Sequence, residues 1–207
     1  MNNTYLFPPL INQLKIIKKL KLKGKIIDLR SFYAPSLVLI DPLTLDTLSE
    51  RHFNNGMAEM IKYGMIYSKE LFYKILNEDV TEDLGYFIYE SLKIKRYFVE
   101  NDEFDKGIRQ ILNFGHTYGH AYEAYYTYKK YLHGESIALG MVEVCENETI
   151  KKDLIKVLKK YSLPTKDPVD KDSLLSFIKR DKKYTKDYLN LIVVDQIGKA
   201  TIKKITL

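Results

Sequence analysis

Cysteine is almost absent from this sequence, since Cys145 is the only one among 207 residues. A single cysteine excludes an intramolecular disulfide and favours a reducing compartment, so we expect a cytoplasmic protein. Long apolar runs are also absent, because no stretch approaches the roughly 18 uncharged apolar residues that a membrane span requires. The N-terminal segment lacks a basic region and a small-residue cleavage site, which predicts that no signal peptide is present.

The composition is that of a soluble globular protein, with 45% apolar and 29% charged residues. It excludes wholesale disorder. The 33 basic and 27 acidic residues give a net charge of +6, which favours anionic partners such as a small phosphate or carboxylate. Six lysines lie between Lys15 and Lys25. We interpret them as the solvated face of a helix. A nucleic-acid patch is the alternative, but no aromatic residues are interleaved to stack on bases, so we expect no nucleic-acid partner.

The pattern of apolar residues predicts a mainly α-helical fold, with short strands on the N-terminal side and a β-hairpin at the C-terminal end. The apolar residues that follow Pro8-Pro9 have helical spacing. A buried strand is predicted at 35–40, and Asp41-Pro42 is predicted to cap a short helix. Asn54-Asn55-Gly56 is typical of a turn. Further helices are predicted at about 57–67, 68–77, 81–100, 107–126, 135–158 and 172–180, and the hairpin at 189–194 with 199–203.

One predicted helix carries an unusual polar stripe. Its members are spaced by 4, 3, 4 and 3 residues, which places them on one face of the helix at 107–126: Arg109, Asn113, His116, His120 and Glu123. Gly115 and Gly119 lie beside the histidines, and each costs about 1 kcal/mol of helix propensity relative to alanine. We therefore expect a ligand or another backbone to approach this helix closely.

The histidines are clustered, because His116, His120 and His133 are three of only four in the chain. Converging histidines with a carboxylate are typical of a catalytic zinc site with an open position. Spacing alone suggests these three histidines as ligands, but it does not decide between them and a nearby carboxylate. A solvated helix face is the alternative. Two further places offer charges suited to an oxyanion: Glu59 with Lys62, and Lys95 with Arg96.

Four segments together resemble the 3-dehydroquinate synthase family. They occur in the order of the family and with roughly its spacing, and the resemblance extends from about Ser31 to the C-terminus. The segments are Asn-Gly-Met-Ala-Glu-Met-Ile-Lys-Tyr-Gly at 55–64, Asp-Glu-Phe-Asp-Lys-Gly-Ile-Arg at 102–109, Leu-Asn-Phe-Gly-His-Thr-Tyr-Gly-His-Ala-Tyr-Glu at 112–123, and His-Gly-Glu-Ser-Ile-Ala-Leu-Gly-Met at 133–141.

The resemblance implies a lyase of the shikimate pathway. Such an enzyme cyclises a seven-carbon sugar-acid phosphate (DAHP) to 3-dehydroquinate with loss of phosphate, using NAD and Zn²⁺ (or Co²⁺). By resemblance, the metal ligands are Glu59, His116 and His133, and His120 contacts the substrate phosphate and transfers protons. Substrate-binding positions are matched by Lys62, Lys95, Arg109, Asn113, Lys182 or Lys183, and Asp105, where the family has Glu.

The glycine-rich loop with which the family binds NAD has no counterpart before residue 56, so the cofactor-binding residues are unknown. We expect a truncated or split chain, with 1–40 as an N-terminal linker that includes a strand and 41–207 as the helical metal- and substrate-binding domain. The expected partner is a second copy in a homodimer or a separate NAD-binding chain. The alternative is a catalytically inactive paralogue that binds metal or an anionic metabolite.

Overall fold

The computed structural model describes residues 14–22, 25–33, 38–180 and 188–206. The chain divides into two units, residues 1–47 and 48–207, and each is described by itself. The domain boundary after residue 40 stays a prediction. Among the helices described, none is both long and apolar enough to cross a membrane.

The first unit contains an antiparallel hairpin of β1 (Leu14–Leu22) and β2 (Lys25–Tyr33), in which Leu14 lies opposite Tyr33. The prediction that the lysine-rich stretch forms a helix face is therefore wrong. Its alternation of lysine with isoleucine and leucine fits the two-residue period of a strand as well as a helical period, and pairing with β2 supplies the backbone hydrogen bonds.

Two other predictions fall on this unit. The strand at 35–40 is wrong in its described part, because residues 38–40 are irregular and Leu39 is 89% exposed; residues 35–37 lie outside the described residues. The cap at Asp41 is confirmed, since its Oδ1 accepts a hydrogen bond from the Leu43 nitrogen at 3.0 Å. A 3₁₀ helix, Pro42–Thr47, follows it.

The second unit is helical and ends in an antiparallel hairpin, which confirms the predicted fold class. Its helices are α1 (Glu50–Ile66), α2 (Lys69–Asn77), α3 (Leu84–Asn101), α4 (His116–Tyr125), α5 (His133–Val144), α6 (Glu148–Lys160) and α7 (Lys171–Arg180), with a 3₁₀ helix at Ile108–Asn113. The hairpin pairs β3 (Leu189–Gln196) with β4 (Lys199–Ile205) and has an irregular register between Val194 and Gln196.

Side-chain caps explain where several helices begin. The Ser68 hydroxyl accepts from the Leu71 nitrogen at the start of α2. The side-chain Oδ1 of Asn147 accepts from the nitrogens of Thr149 and Ile150. This cap begins α6 and splits the single helix predicted at 135–158. Asparagine is favoured at this position because its side chain satisfies backbone N–H groups that have no partner within the helix.

Helix α1 is the centre of the core. Its side chains Met57, Ala58, Ile61 and Met65 are fully buried, and it packs against α2, α3 and α5. The turn predicted at Asn54-Asn55-Gly56 is wrong, because these residues lie inside α1 and Gly56 is buried. A second apolar cluster joins α4, α5, α7 and β3 through Ala121, Tyr122, Leu139, Leu174, Ile178 and Leu189.

Candidate metal centre

The polar stripe does not lie on one helix, which corrects the prediction of a helix at 107–126. Gly115 interrupts it with a left-handed backbone, φ 78°. A side chain at this residue would be strained and would also meet the Ile137 carbonyl oxygen at 2.9 Å. Arg109 and Asn113 are consequently on the 3₁₀ helix, whereas His116, His120 and Glu123 are on α4.

The glycines of this region allow two helices to touch. A Cβ atom on Gly140 of α5 would lie 2.0 Å from the Gly115 carbonyl oxygen, and one on Gly119 would lie 2.6 Å from Cδ1 of Ile137. Of the two partners expected from the sequence, a ligand or another backbone, the structure therefore shows the backbone of α5. This close packing brings the imidazole rings of His116 and His133 to a centroid separation of 5.4 Å.

Both of these histidines face one carboxylate oxygen from α1. Oε1 of Glu59 lies 3.6 Å from Nε2 of His116 and 3.7 Å from Nε2 of His133. The other oxygen, Oε2, accepts a hydrogen bond from Nζ of Lys62 at 2.6 Å. Oε1 itself is buried and has no hydrogen-bond partner among the described residues.

The hydrogen bonds on the far side of each ring determine which nitrogen carries the proton. Nδ1 of His116 lies 3.1 Å from the Phe114 carbonyl oxygen, and Nδ1 of His133 lies 2.9 Å from Oε1 of Glu123. A carbonyl or ionised carboxylate only accepts hydrogen bonds, so each Nδ1 must be the donor. In the neutral ring each Nε2 then presents a lone pair to Oε1 of Glu59.

The electrostatics keep Glu59 and His116 in the forms that bind metal. Burial on its own would raise the pKa of Glu59, but the Lys62 ammonium, together with His116 and His133, outweighs burial and lowers the pKa to about 2. Burial lowers the pKa of His116 to about 3, so the ring is neutral near pH 7. The hydrogen bond to Glu123 raises the pKa of His133.

A divalent metal fits this arrangement. Three lone-pair atoms without a donor between them repel one another, and a cation removes the repulsion. Bonds of roughly 2.0–2.2 Å in a tetrahedral site place ligand atoms about 3.4 Å apart, close to the observed separations. Two imidazoles and one carboxylate suit zinc or cobalt. In the described part of the chain, a second group of side chains that could hold a metal ion is formed by His120, Glu123 and His133.

Lys62 and Lys95 place positive charge near the carboxylate of Glu59. Lys95 of α3 is 5% exposed. Burial, together with the positive charges of Lys62 and Arg109, lowers its pKa to about 8, although Glu59 partly offsets the effect. Buried cations near one another are unfavourable unless an anion joins them. The arrangement is therefore suited to a phosphate or carboxylate ligand.

Comparison with known proteins decides the family. The protein-family model described as 3-dehydroquinate synthase C-terminal matches residues 56–184 of this chain. The chain belongs to the 3-dehydroquinate synthase family. A 3-dehydroquinate synthase of Clostridium perfringens (strain SM101 / Type A) is 47% identical over 190 residues, which cover 85% of this chain and 54% of the relative. One of Dictyoglomus turgidum is 43% identical over 188 residues, covering 83% and 52%. The chain spans about half the length of the curated relatives it matches.

Two solved structures share the fold. ValA, a 2-epi-5-epi-valiolone synthase from Streptomyces hygroscopicus subsp. jinggangensis 5008 with NAD⁺ and Zn²⁺ bound, has a TM-score of 0.78 at 20% identity and covers 99% of this chain and 61% of its own. A 2-deoxy-scyllo-inosose synthase complexed with carbaglucose-6-phosphate, NAD⁺ and Co²⁺ has a TM-score of 0.71 at 23% identity, with coverages of 93% and 59%. At these identities the likeness concerns the fold alone.

The remaining residues expected from the 3-dehydroquinate synthase resemblance differ in their exposure and in whether the structure describes them. His120 is half-buried, with its ring centroid 5.5 Å from that of His116. Asn113 ends the 3₁₀ helix and is half-buried. Asp105 is exposed with a left-handed backbone, φ 55°. Lys182 and Lys183 lie outside the described residues.

Sequence reasoning missed the residues that hold the first turn of α5 in this 3-dehydroquinate synthase family member. Arg51 donates from Nε and Nη2 to the two carboxylate oxygens of Glu135 at 2.7 and 2.8 Å. Glu135 also accepts from the Leu132 nitrogen, which restrains the residue before His133. A glutamate three residues after a helix cap is a recognised signal, but nothing in the sequence pairs it with an arginine 84 positions away.

Proposed function

We propose that this chain provides the metal and substrate site of a 3-dehydroquinate synthase. The reaction would cyclise a seven-carbon sugar-acid phosphate (DAHP) to 3-dehydroquinate and release phosphate. The observation that carries the proposal is the buried Oε1 of Glu59, which has no hydrogen-bond partner among the described residues and faces two imidazole Nε2 atoms. Sequence identity of 47% to a relative of that name supports the same reaction.

In this proposal Glu59, His116 and His133 hold Zn²⁺ or Co²⁺. When bound, such an ion polarises a coordinated substrate oxygen as a Lewis acid. Lys62 keeps Oε2 of Glu59 occupied by a hydrogen bond, and Oε1 is left to face the histidines. The Phe114 carbonyl oxygen holds the ring of His116 by its Nδ1 atom. These contacts preorganise the ligands, so little reordering is needed when metal binds.

The cations around Glu59 would bind the anionic groups of the substrate. Lys62, Lys95 and Arg109 hold its phosphate and carboxylate, because charge-assisted hydrogen bonds to anions are strong in a partly buried site. Further contacts are assigned to Asn113, Asp105, Lys182 and Lys183. His120, beside the metal ligands, contacts the phosphate and transfers a proton. A substrate held in this way is oriented for ring closure.

NAD is the second cofactor of the proposal. ValA was solved with NAD⁺ and Zn²⁺, and 2-deoxy-scyllo-inosose synthase with carbaglucose-6-phosphate, NAD⁺ and Co²⁺, which supports a nicotinamide cofactor together with a divalent metal. The cofactor would carry the hydride, and the protein would fix the position of the substrate. A second copy of the chain or a separate NAD-binding chain is the proposed partner for this step.

Phosphate release tests the proposal directly. The purified chain is loaded with zinc, supplied with DAHP and assayed with and without NAD. Release that depends on both zinc and NAD is expected, and the His133→Ala variant serves as the metal-deficient control. A chain that binds no zinc even in excess would overturn the proposal. Zinc binding without phosphate release would instead indicate either a chain that requires a separate NAD-binding partner or the inactive paralogue.

A further inference from the structure

Glu123 contacts a metal-facing histidine from behind. Its Oε1 lies 2.9 Å from Nδ1 of His133, and the residue is only 9% exposed in α4. The carboxylate is thus fixed in a helix, ten residues before the histidine that it contacts. The sequence placed Glu123 in the polar stripe, but the metal and substrate roles proposed above leave it without a function.

We propose that Glu123 is the positioning residue for His133. It holds the imidazole ring with the proton on Nδ1, so that Nε2 directs its lone pair towards Oε1 of Glu59, 3.7 Å away. This inference rests on the proposed function in one respect, namely that His133 is a metal ligand. Carboxylates that accept from the second ring nitrogen of such a histidine orient the ring and increase its basicity.

The orientation of the His133 ring depends on its Nδ1 hydrogen bond more than the orientation of the His116 ring depends on its own. The side chain of His133 is 48% exposed, whereas that of His116 is 14% exposed. His116 is therefore held by packing as well as by its bond to the Phe114 carbonyl oxygen. The contacts of Gly134 and Glu135 fix only the backbone around His133. Rotation of the ring itself is restrained by Glu123.

Glu123 could instead be a ligand, because it also forms a group with His120 and His133. The observed geometry favours positioning. Its oxygen and Nδ1 of His133 are already at hydrogen-bond distance, and a metal between them would have to break this bond. Nε2 of the same ring faces the unsatisfied Oε1 of Glu59 on its other side. The two roles predict different losses of affinity.

The zinc affinity of the whole chain, measured by competition with a chelator, distinguishes a positioning role of Glu123 from a role as metal ligand. Glu123→Gln keeps the size of the side chain but removes its charge, and the amide can donate to Nδ1 and favour the wrong tautomer. We expect it to weaken zinc binding roughly 10–100-fold and to retain one zinc per chain. His133→Ala is expected to lose far more. Glu143→Gln is the matched control, because this half-buried carboxylate accepts from the Tyr122 hydroxyl and contacts no histidine among the described residues.

A spectroscopic measurement separates positioning from a general loss of structure. In the zinc-loaded protein, the Nδ1 proton of His133 is bonded to a carboxylate and should resonate far downfield. The resonance should move upfield in Glu123→Gln and stay in place in Glu143→Gln. Unchanged affinity and resonance in Glu123→Gln would overturn the inference, and so would a loss as large as that of His133→Ala. If the wild-type chain binds no zinc, the proposed function itself fails.

Discussion

The backbone nitrogen of Gly134 donates a hydrogen bond to Oδ1 of Asn55 over 2.6 Å, although 79 positions separate them in the sequence. This contact joins the first turn of α5, which begins with His133, to α1, which carries Glu59. A Cβ atom on residue 134 would lie 1.9 Å from the Asn55 carbonyl oxygen. The two helices can be this close only because residue 134 is glycine.

Gly134→Ala should separate α1 from α5. The contact is with backbone atoms, which cannot move aside as a flexible side chain can, so we expect a loss of roughly 1–3 kcal/mol in the free energy of unfolding. Zinc affinity should fall as well, because Glu59 and His133 move apart. Chemical denaturation and zinc titration measure the two effects.

Gly85→Ala is the control for this substitution. A Cβ atom at residue 85 of α3 would meet nothing closer than Oδ1 of Asp83 at 3.9 Å. Helix propensity then predicts a gain of up to about 1 kcal/mol. Equal stability of the two variants would contradict the argument from close packing.

The histidines can be separated by their effects on metal binding. His133→Ala should abolish tight zinc binding, since it removes one of the Nε2 atoms that face Glu59. His120→Ala should spare it, because the proposed role of His120 concerns the substrate. Equilibrium dialysis against zinc measures both. Loss of tight zinc binding in both variants would favour the ligand set suggested by histidine spacing alone.

Much of the fold was predictable because local signals agreed with the tertiary structure. Ser68 and Asp41 mark the starts of helices by their side chains. The hairpin after residue 188 was expected from its β-branched residues. The cluster of histidines pointed to a metal site for a chemical reason, namely the ligand properties of imidazole, which do not depend on the exact helix boundaries.

The errors occur where long-range contacts override local preference. Asn55 and Gly56 are typical turn residues, yet they lie within α1, where Asn55 binds Gly134 and Gly56 is buried. Gly115 was expected to be helical because the stripe continued through it, but its backbone is left-handed, and a Cβ atom there would collide with Met141 and Ile137 of α5. No local pattern indicates which distant segment will be adjacent.

Substitution of Lys95 tests the anion site. Lys95→Met removes a buried charge near Lys62 and Arg109 and keeps the apolar volume. We expect substrate affinity to fall about tenfold or more, because hydrogen bonds to charged groups contribute roughly 1.5–3 kcal/mol. Thermal stability should not fall, since burial lowers the pKa of this amine to about 8 and its charge therefore opposes folding.

Lys93→Met, on the same helix, is the control for Lys95→Met. Lys93 is 53% exposed and pairs with Glu90 at 3.0 Å, and surface pairs of this kind contribute little. Substrate affinity should stay at the wild-type value, as measured by calorimetry with the zinc-loaded protein. An equal loss in both variants would mean that general charge, and not the buried site, attracts the substrate.

The segment before His133 is held by a buried carboxylate, and this gives a prediction about pH. The side chain of Asp167 is fully buried and accepts from Lys130 Nζ at 2.7 Å, from the hydroxyls of Tyr131 and Tyr126 at 2.6 and 2.8 Å, and from the Val169 nitrogen at 2.9 Å. Burial on its own would raise the pKa of Asp167, but these bonds lower it from 3.8 to about 2.

Asp167→Asn should therefore reduce stability in a pH-dependent way. Because the pKa is lower in the folded state, the ionised carboxylate stabilises the fold above about pH 4 and this contribution is lost as the pH falls towards 2. The shift corresponds to about 2 kcal/mol at pH 7. Urea denaturation should show wild type more stable than Asp167→Asn at pH 7, with the difference shrinking below pH 4. The exposed Asp46→Asn variant should match wild type throughout, and a difference for Asp167→Asn that persists unchanged at pH 2.5 would show that packing, and not the charge, is responsible.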